Sequence, residues 1–374
     1  MKNVRPTVSR VLGPIVLGLA FATAPAAYAE RNFYQQHNLV SDGFVPADHF
    51  DAKLVNGWGV AFNPFGPIWV ADNNSGVSTI YDGLGIAAPL VVNIPSPGNS
   101  AGGGTPTGIV FNASAGFEVS QGNPARFIFA TEDGLIAAWS PTADATHAIT
   151  VVNNSAGAAV YKGLALSAGG TGSLLYAADF RNARIDVFDS SFKPVALQMG
   201  AFVDPNLPAG FAPFGLQAIN GNIYVAYAKQ DAARHDDVAG KGFGFVNVFD
   251  PNGQLIRRVV SGGRLNAPWG MTLAPAGFGK FSNRLLVGNF GDGRINAYDL
   301  ATGQFVGRLK APGGRPIQID GLWGIAFGKG FASAPVNTLF FAAGPGDELH
   351  GLYGRIDVAP GDGRDDSPDT DDTN

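Results

Sequence analysis

The sequence predicts an all-β fold, a six-bladed β-propeller, and three observations carry that prediction. A two-part phrase recurs six times along the chain, at intervals of roughly 50–55 residues. Glycine (52 residues) and proline (25) are too frequent for long helices and suit many short strands joined by tight turns. The 374 residues are 45% hydrophobic and only 15% charged, which is ample for a large core.

The N-terminal segment reads as an address. Lys2, Arg5 and Arg10 precede an apolar run, VLGPIVLGLAFATA, and Ala27-Tyr28-Ala29 gives an A-x-A cleavage site. The run, about 14 residues, is short for a membrane span, which needs about 20. Residues 1–29 are therefore expected to be a secretory signal peptide. The mature chain is expected to be exported, periplasmic or extracellular, with no membrane span of its own. A strand-like run, FYQQHNLV from Phe33, comes next with no glycine phrase before it.

The six units follow. Each opens on a short phrase around a glycine: NGWGVAF, TPTGIVF, YKGLALS, PFGLQAI, PWGMTLA and GLWGIAF, with Gly59, Gly108, Gly163, Gly215, Gly270 and Gly324 in register. This is the innermost strand, where blades converge and backbones approach closely. A continuous apolar run follows, such as LLYAAD from Leu174, as befits a strand packed on both faces. An Asp/Asn/Gly knot then turns the chain into an alternating run such as RIDVFD. A variable fourth strand completes the unit, as in QLIRRVV or QFVGRLK. The sixth unit has no fourth strand of its own, so the run from Phe33 is expected to complete it and close the ring, hiding an edge. The propeller should span residues 30–360. The last segment, GDGRDDSPDTDDTN, reads as an acidic disordered tail over 361–374.

These repeats resemble NHL repeats, most closely at YAADFRNARIDVFDSSFKP, and so imply an NHL/TolB-like propeller. The phrases NLVSDGF, KLVNGWGVAFNPFGPIWVADNNSG and PTGIVFN resemble a family of conserved exported bacterial proteins. Gly57 stands where that pattern implies proline, and the acidic tail has no sorting anchor. The resemblance implies the fold and no activity.

Several chemistries are excluded at once. With no cysteine there are no disulfides, thiolate metal sites or thiol nucleophiles. The net charge of −5, with no basic stripe, gives nucleic-acid binding no support. There is no phosphate loop of the GxxxxGK(S/T) form and no HExxH pair.

Blade topology brings two residue sets to one face of the ring. Those just before the shared glycines are Trp58, Thr107, Lys162, Phe214, Trp269 and Trp323. The aromatic members and Lys162 form a candidate ligand-binding rim, and packing between blades is the competing explanation. The turn residues include Asp72, Asn73, Asn74, Glu132, Asp133, Asp179, Asn289, Asp292, Asp347 and Glu348. Oxygen ligands around one channel suit Ca²⁺ or Mg²⁺, with Asp72, Asp179, Asn289 and Asp347 as candidates; turn capping explains the same residues. His235, in the insertion QDAARHDDVAGKG, and His350 should reach this face, and with Lys162 and Arg181 they are the acid–base candidates. The insertion itself is a candidate lid.

The sequence therefore points first to an exported, monomeric binding module that takes a protein, glycan or small-molecule ligand at the channel mouth. The alternative is a divalent-metal-dependent hydrolase, lactonase-like, or a lyase at the same place.

Overall fold

Beyond Met1, the computed structural model describes residues 33–169 and 172–360. The signal peptide and acidic tail expected from the sequence lie outside them. The chain winds outward through six sheets set around an axis. Blade I holds Gly57–Phe62, Ile68–Asp72, Val77–Tyr81 and Val92–Asn93, and blade II holds Pro106–Phe111, Phe127–Thr131, Leu135–Trp139 and Ile149–Asn153. Blade III has Tyr161–Gly169, Gly172–Asp179 and Arg184–Phe188; blade IV has Phe211–Ile219, Asn222–Lys229, Phe245–Phe249 and Leu255–Ser261. Blade V has Pro268–Leu273, Leu285–Asn289, Ile295–Tyr298 and Phe305–Arg308. Blade VI has Leu322–Phe327, Leu339–Ala343 and Leu352–Val358, and Tyr34–Ser41 completes it. That last strand runs antiparallel to its neighbour, from Tyr34 opposite Val358 to Ser41 opposite Leu352, which closes the ring as expected.

Blade III departs from the expectation of a fourth strand. Its outer edge is met by a bridge of Phe188 with Pro194, by Asp189 N–H donating to Lys193 O at 2.9 Å and by Val195 N–H donating to Val187 O at 2.8 Å. Proline cannot donate to the ladder, and it stands where a fourth strand would start.

The core lies between blades. Along one strand, Phe127 and Phe129 face blade I while Ile128 and Ala130 face blade III, so alternate residues serve opposite neighbours. Six such clusters, one per blade junction, join the ring, and a seventh lies on the axis. A blade alone would expose both apolar faces, which is why the phrase repeats until the circle closes.

The shared glycines show how tightly the ring is drawn. A Cβ on Gly59 would lie 2.6 Å from Thr107 O, and one on Gly163 would lie 2.7 Å from Phe214 O. Gly108 abuts Leu164, Gly215 abuts Trp269, Gly270 abuts Trp323, and Gly324 returns to Trp58. Each glycine thus touches the backbone of the next blade, all the way round. Only a residue without a side chain permits that approach.

Candidate functional site

Every inner strand breaks register around its shared glycine, as between Gly57 and Val60 or between Tyr161 and Leu164. A β-bulge re-aims the side chain within it. Here six bulges carry Trp58, Thr107, Lys162, Phe214, Trp269 and Trp323, the residues before the glycines. The four aromatics meet on the axis. Trp58 stacks on Trp323 with centroids 3.5 Å apart, and Trp269 stands edge-on to both at 5.9 and 5.8 Å. Phe214, Phe180 and Phe290 complete the plug. Trp58 and Trp323 are 1% exposed, Phe214 is fully buried and Trp269 is 8% exposed. The rim is thus a floor, and its faces are spent on one another. Thr107 takes no part: its hydroxyl donates to Tyr161 O at 2.8 Å.

Lys162 converts this floor into a charged site. Its Nζ lies 5.0 Å from the Trp58 ring centroid and 6.0 Å from that of Phe180. It is 2% exposed. It donates to Glu132 Oε1, and to Asp236 Oδ1 at 3.2 Å. Burial alone would push the ammonium toward neutrality; the Glu132 and Asp236 carboxylates more than reverse this and hold it above its usual value. Glu132 comes from the turn of blade II, and its other oxygen accepts from Asn73 Nδ2 of blade I at 2.9 Å.

The insertion of blade IV supplies the other wall, as a folded excursion rather than a loose lid. Gln230 bridges to Asp237, and Val238 N–H donates to Lys229 O at 2.8 Å. Asp231 Oδ1 accepts from His235 N–H at 2.8 Å, and Gln230 Nε2 donates to Phe180 O at 2.5 Å. This fold sets His235 Nδ1 2.8 Å from Asp236 Oδ1. It also buries Oδ2 of the half-buried Asp237, an atom with no hydrogen-bond partner. Burial lifts that carboxyl to about 7, with Glu348 and Asp236 pushing the same way and Lys162 opposing. Glu348 closes the site from blade VI. It accepts from Asn56 Nδ2 at 2.8 Å, while Asn56 Oδ1 accepts from Trp323 Nε1 at 3.1 Å. Burial raises this carboxyl too.

The four metal candidates are not brought together. Asp72 Oδ2 accepts from Thr79 N–H of its own hairpin at 2.8 Å. Asp179 accepts from Val160 N–H and Asn182 N–H, both at 3.2 Å. Asn289 donates to Asp292 Oδ1 at 3.0 Å and to Arg264 O at 2.8 Å. Asp347 is exposed on a turn with φ of +54°. Three of the four thus hold chain turns together. Among the described residues, the one group of His, Asp and Glu ligand atoms within 4.8 Å of one another is Glu132, His235 and Asp236. Of the acid–base candidates, Lys162 and His235 meet at the mouth. His350 does not: its Nδ1 lies 2.8 Å from Asp42 Oδ2 and its ring stacks on Phe44 at 3.9 Å. Arg181 is half-buried, and its carbonyl lies 3.4 Å from Gln230 Nε2. The sequence reading omits Asn56, Asp236 and Asp237. A signal existed for the two aspartates, which directly follow His235 in the insertion that interrupts the repeat.

Among the described residues no helix is long and apolar enough to cross a membrane. No protein-family model matches the chain. Among solved structures, the chain is similar in fold to a protein of unknown function from Bacteroides thetaiotaomicron (TM-score 0.56, 11% identity, 87% of this chain and 76% of that one). It is similar too to a glucose dehydrogenase (0.52, 13%, 87% and 100%) and to a streptogramin B lyase (0.50, 12%, 87% and 97%). At such identities the likeness is one of fold. In sequence it is 34% identical over 332 residues to uncharacterized protein R648 of Acanthamoeba polyphaga mimivirus, covering 85% of this chain and 78% of that protein. It is also 34% identical over 328 residues to uncharacterized protein L690 of the same virus, covering 85% and 84%. The chain therefore belongs to the family of these two mimivirus proteins.

Proposed function

We propose that the protein is a binding module whose site is the channel mouth, and that it takes a small polar ligand there. The ligand is cationic or hydroxyl-rich, and it sets a donor against Asp237. The observation that carries this reading is the buried, unpartnered Asp237 Oδ2 beside Lys162, Glu348 and Asp236. A buried acceptor without a donor costs about 1–3 kcal/mol, which a ligand's N–H or O–H recovers. Carboxylates outnumber the one lysine, which favours donors over acceptors in the ligand. The signal-like N-terminus supports an exported chain that meets its ligand outside the cytoplasm. The test is a thermal-shift screen of sugars, polyols, amines and amino acids on the wild type and on Asp237→Asn. A ligand at 100 times its dissociation constant should stabilise the wild type by about 2.7 kcal/mol. The reading fails if every hit shifts the Asn variant equally.

One observation favours a second reading, a metal-dependent hydrolase or lyase. Glu132, His235 and Asp236 present ligand atoms close together. A histidine with two carboxylates suits Zn²⁺ or Mn²⁺ better than the Ca²⁺ or Mg²⁺ expected from the sequence. Lys162 competes, because its ammonium already bonds both carboxylates. Lys162→Met should therefore strengthen any cation-dependent rise in melting temperature that EDTA abolishes. A flat response to these ions in both proteins sinks this reading.

A further inference from the structure

A second polar site lies on the same face, between blades IV and V, with the opposite charge. A cavity of about 300 Å³ is lined by Lys241, Arg264, Arg294 and Arg308, against one carboxylate, Asp292. The size is at the low end for small-molecule sites and exceeds a bare tetrahedral anion. Each cation reaches it from a different piece of chain. Lys241 ends the insertion of blade IV, Arg264 precedes the inner strand of blade V, Arg294 leads into its third strand, and Arg308 ends its fourth, opposite Asn296. The Asp292 carboxylate is partly spent on its own turn, where Oδ1 accepts from Asn289 Nδ2 at 3.0 Å and from Arg294 N–H at 3.2 Å. Arg264 is laid over the Phe305 ring with its guanidinium carbon 5.5 Å from the centroid, which fixes its plane.

Arg294 in the lining and Tyr298, outside it at the end of the same strand, each hold an orphaned donor. Arg294 Nε is buried and has no partner. The Tyr298 hydroxyl is also buried and unpartnered, on a residue 2% exposed. Arg294, Asn296 and Tyr298 alternate along one strand and so share a face. Burial raises the Tyr298 phenol first; Asp292 adds to the rise, and Arg264 and Arg308 oppose it. It therefore remains a hydroxyl donor at ordinary pH. Four cations lining so small a space favour an anion over any other ligand, and an anion can accept from the orphaned donors.

We propose that this cavity binds a phosphate group, as free phosphate or as a small phosphate ester, through Arg294, Arg264, Arg308 and Lys241, with the Tyr298 hydroxyl as a further donor. The site is separate from the channel mouth and does not depend on the reading given to it.

Calorimetric titration of the full chain at constant ionic strength tests this, with inorganic phosphate and phenyl phosphate as probes. Saturable one-site binding is expected, weakened about tenfold or more in Arg294→Gln and more modestly in Lys241→Gln, whose exposed side chain leaves folding undisturbed. Tyr298→Phe should keep or raise the melting temperature while weakening the binding. Tighter binding of phenyl phosphate than of phosphate identifies an ester as the ligand; the reverse identifies the free anion. Absence of saturable heat up to tens of millimolar overturns the proposal. So does an equal loss in Arg184→Gln, a charge removed from blade III, because the effect would then be one of net charge.

Discussion

The channel mouth and the cavity between blades IV and V are built on one face of the same ring and have opposite characters. At the mouth a single lysine sits among Glu132, Asp236, Asp237 and Glu348. In the cavity Lys241 and three arginines surround one aspartate. The insertion of blade IV contributes to both, with Asp236 and Asp237 at one end and Lys241 at the other. The difference teaches that the scaffold does not set the chemistry of its face. What repeats makes the ring: the glycines, the axial aromatics and the turn aspartates. What departs from the repeat makes the sites.

The comparison can be broken first at Lys162. If the mouth depends on its one cation, Lys162→Met should destabilise the fold by about 3–5 kcal/mol, because it strands the Glu132 carboxylate in a buried place. Adding Glu132→Gln should recover much of that loss in urea denaturation. A single variant as stable as wild type would show that the ion pair is idle.

The pH dependence is next in size. In the unfolded chain Asp237 ionises near pH 4, and in the fold only near about 7. The fold holds the extra proton between those values, so stability falls as pH rises through that window and then levels off. The effect is a few kcal/mol at most. Burial raises Glu348, Asp72 and Asp179 in the same direction, so they add to the slope. Melting curves from pH 4.5 to 8 should fall less steeply for Asp237→Asn than for wild type, and matching slopes would remove Asp237 from the account. The cavity, built on arginine, should impose no slope over this range.

The ring itself can be set against both sites. Gly163→Ala should cost about 1–3 kcal/mol, since its Cβ has only backbone to push against. The histidines give the smallest and most discriminating pair. His350→Ala should lose less than about 1 kcal/mol, as a partly exposed pair with Asp42, and should leave ligand binding at the mouth unchanged. His235→Ala should be equally mild in stability yet weaken that binding, and equal behaviour of the two would erase the distinction drawn between their loops.

The fold was legible because periodicity carries it. Six glycines in register, the apolar runs and the orphan strand at Phe33 were enough to predict blades and closure. The residues before the glycines were legible as a set facing the axis, but their depth was not. Whether Trp58 and Trp323 offer their faces or spend them on each other depends on the width of the channel, which no single repeat encodes. The turn residues misled in another way. Asp72, Asp179 and Asn289 have the composition of cation ligands and the occupation of turn caps, because both tasks need a short side chain that carries oxygen. The mouth was least legible, since Glu132, Asp236 and Glu348 lie far apart in the chain and meet only when blades II, IV and VI are in place. Lys162 was the useful clue: a cation in a slot that otherwise holds aromatics or threonine.

The seam of the ring has a further consequence. His37 pairs with Arg355, so a strand made near the start of the chain finds its partner only after the last blade exists. Contacts of such long sequence separation form slowly. During synthesis, blades I to V can stack in turn while that strand waits. Pulsed hydrogen exchange during refolding should show the amides of Tyr34–Ser41 among the last protected, and early protection there would contradict this order. The seam works as a completion check, because an unfinished chain leaves Tyr34–Ser41 without its antiparallel neighbour and a finished one pairs it with Leu352–Val358.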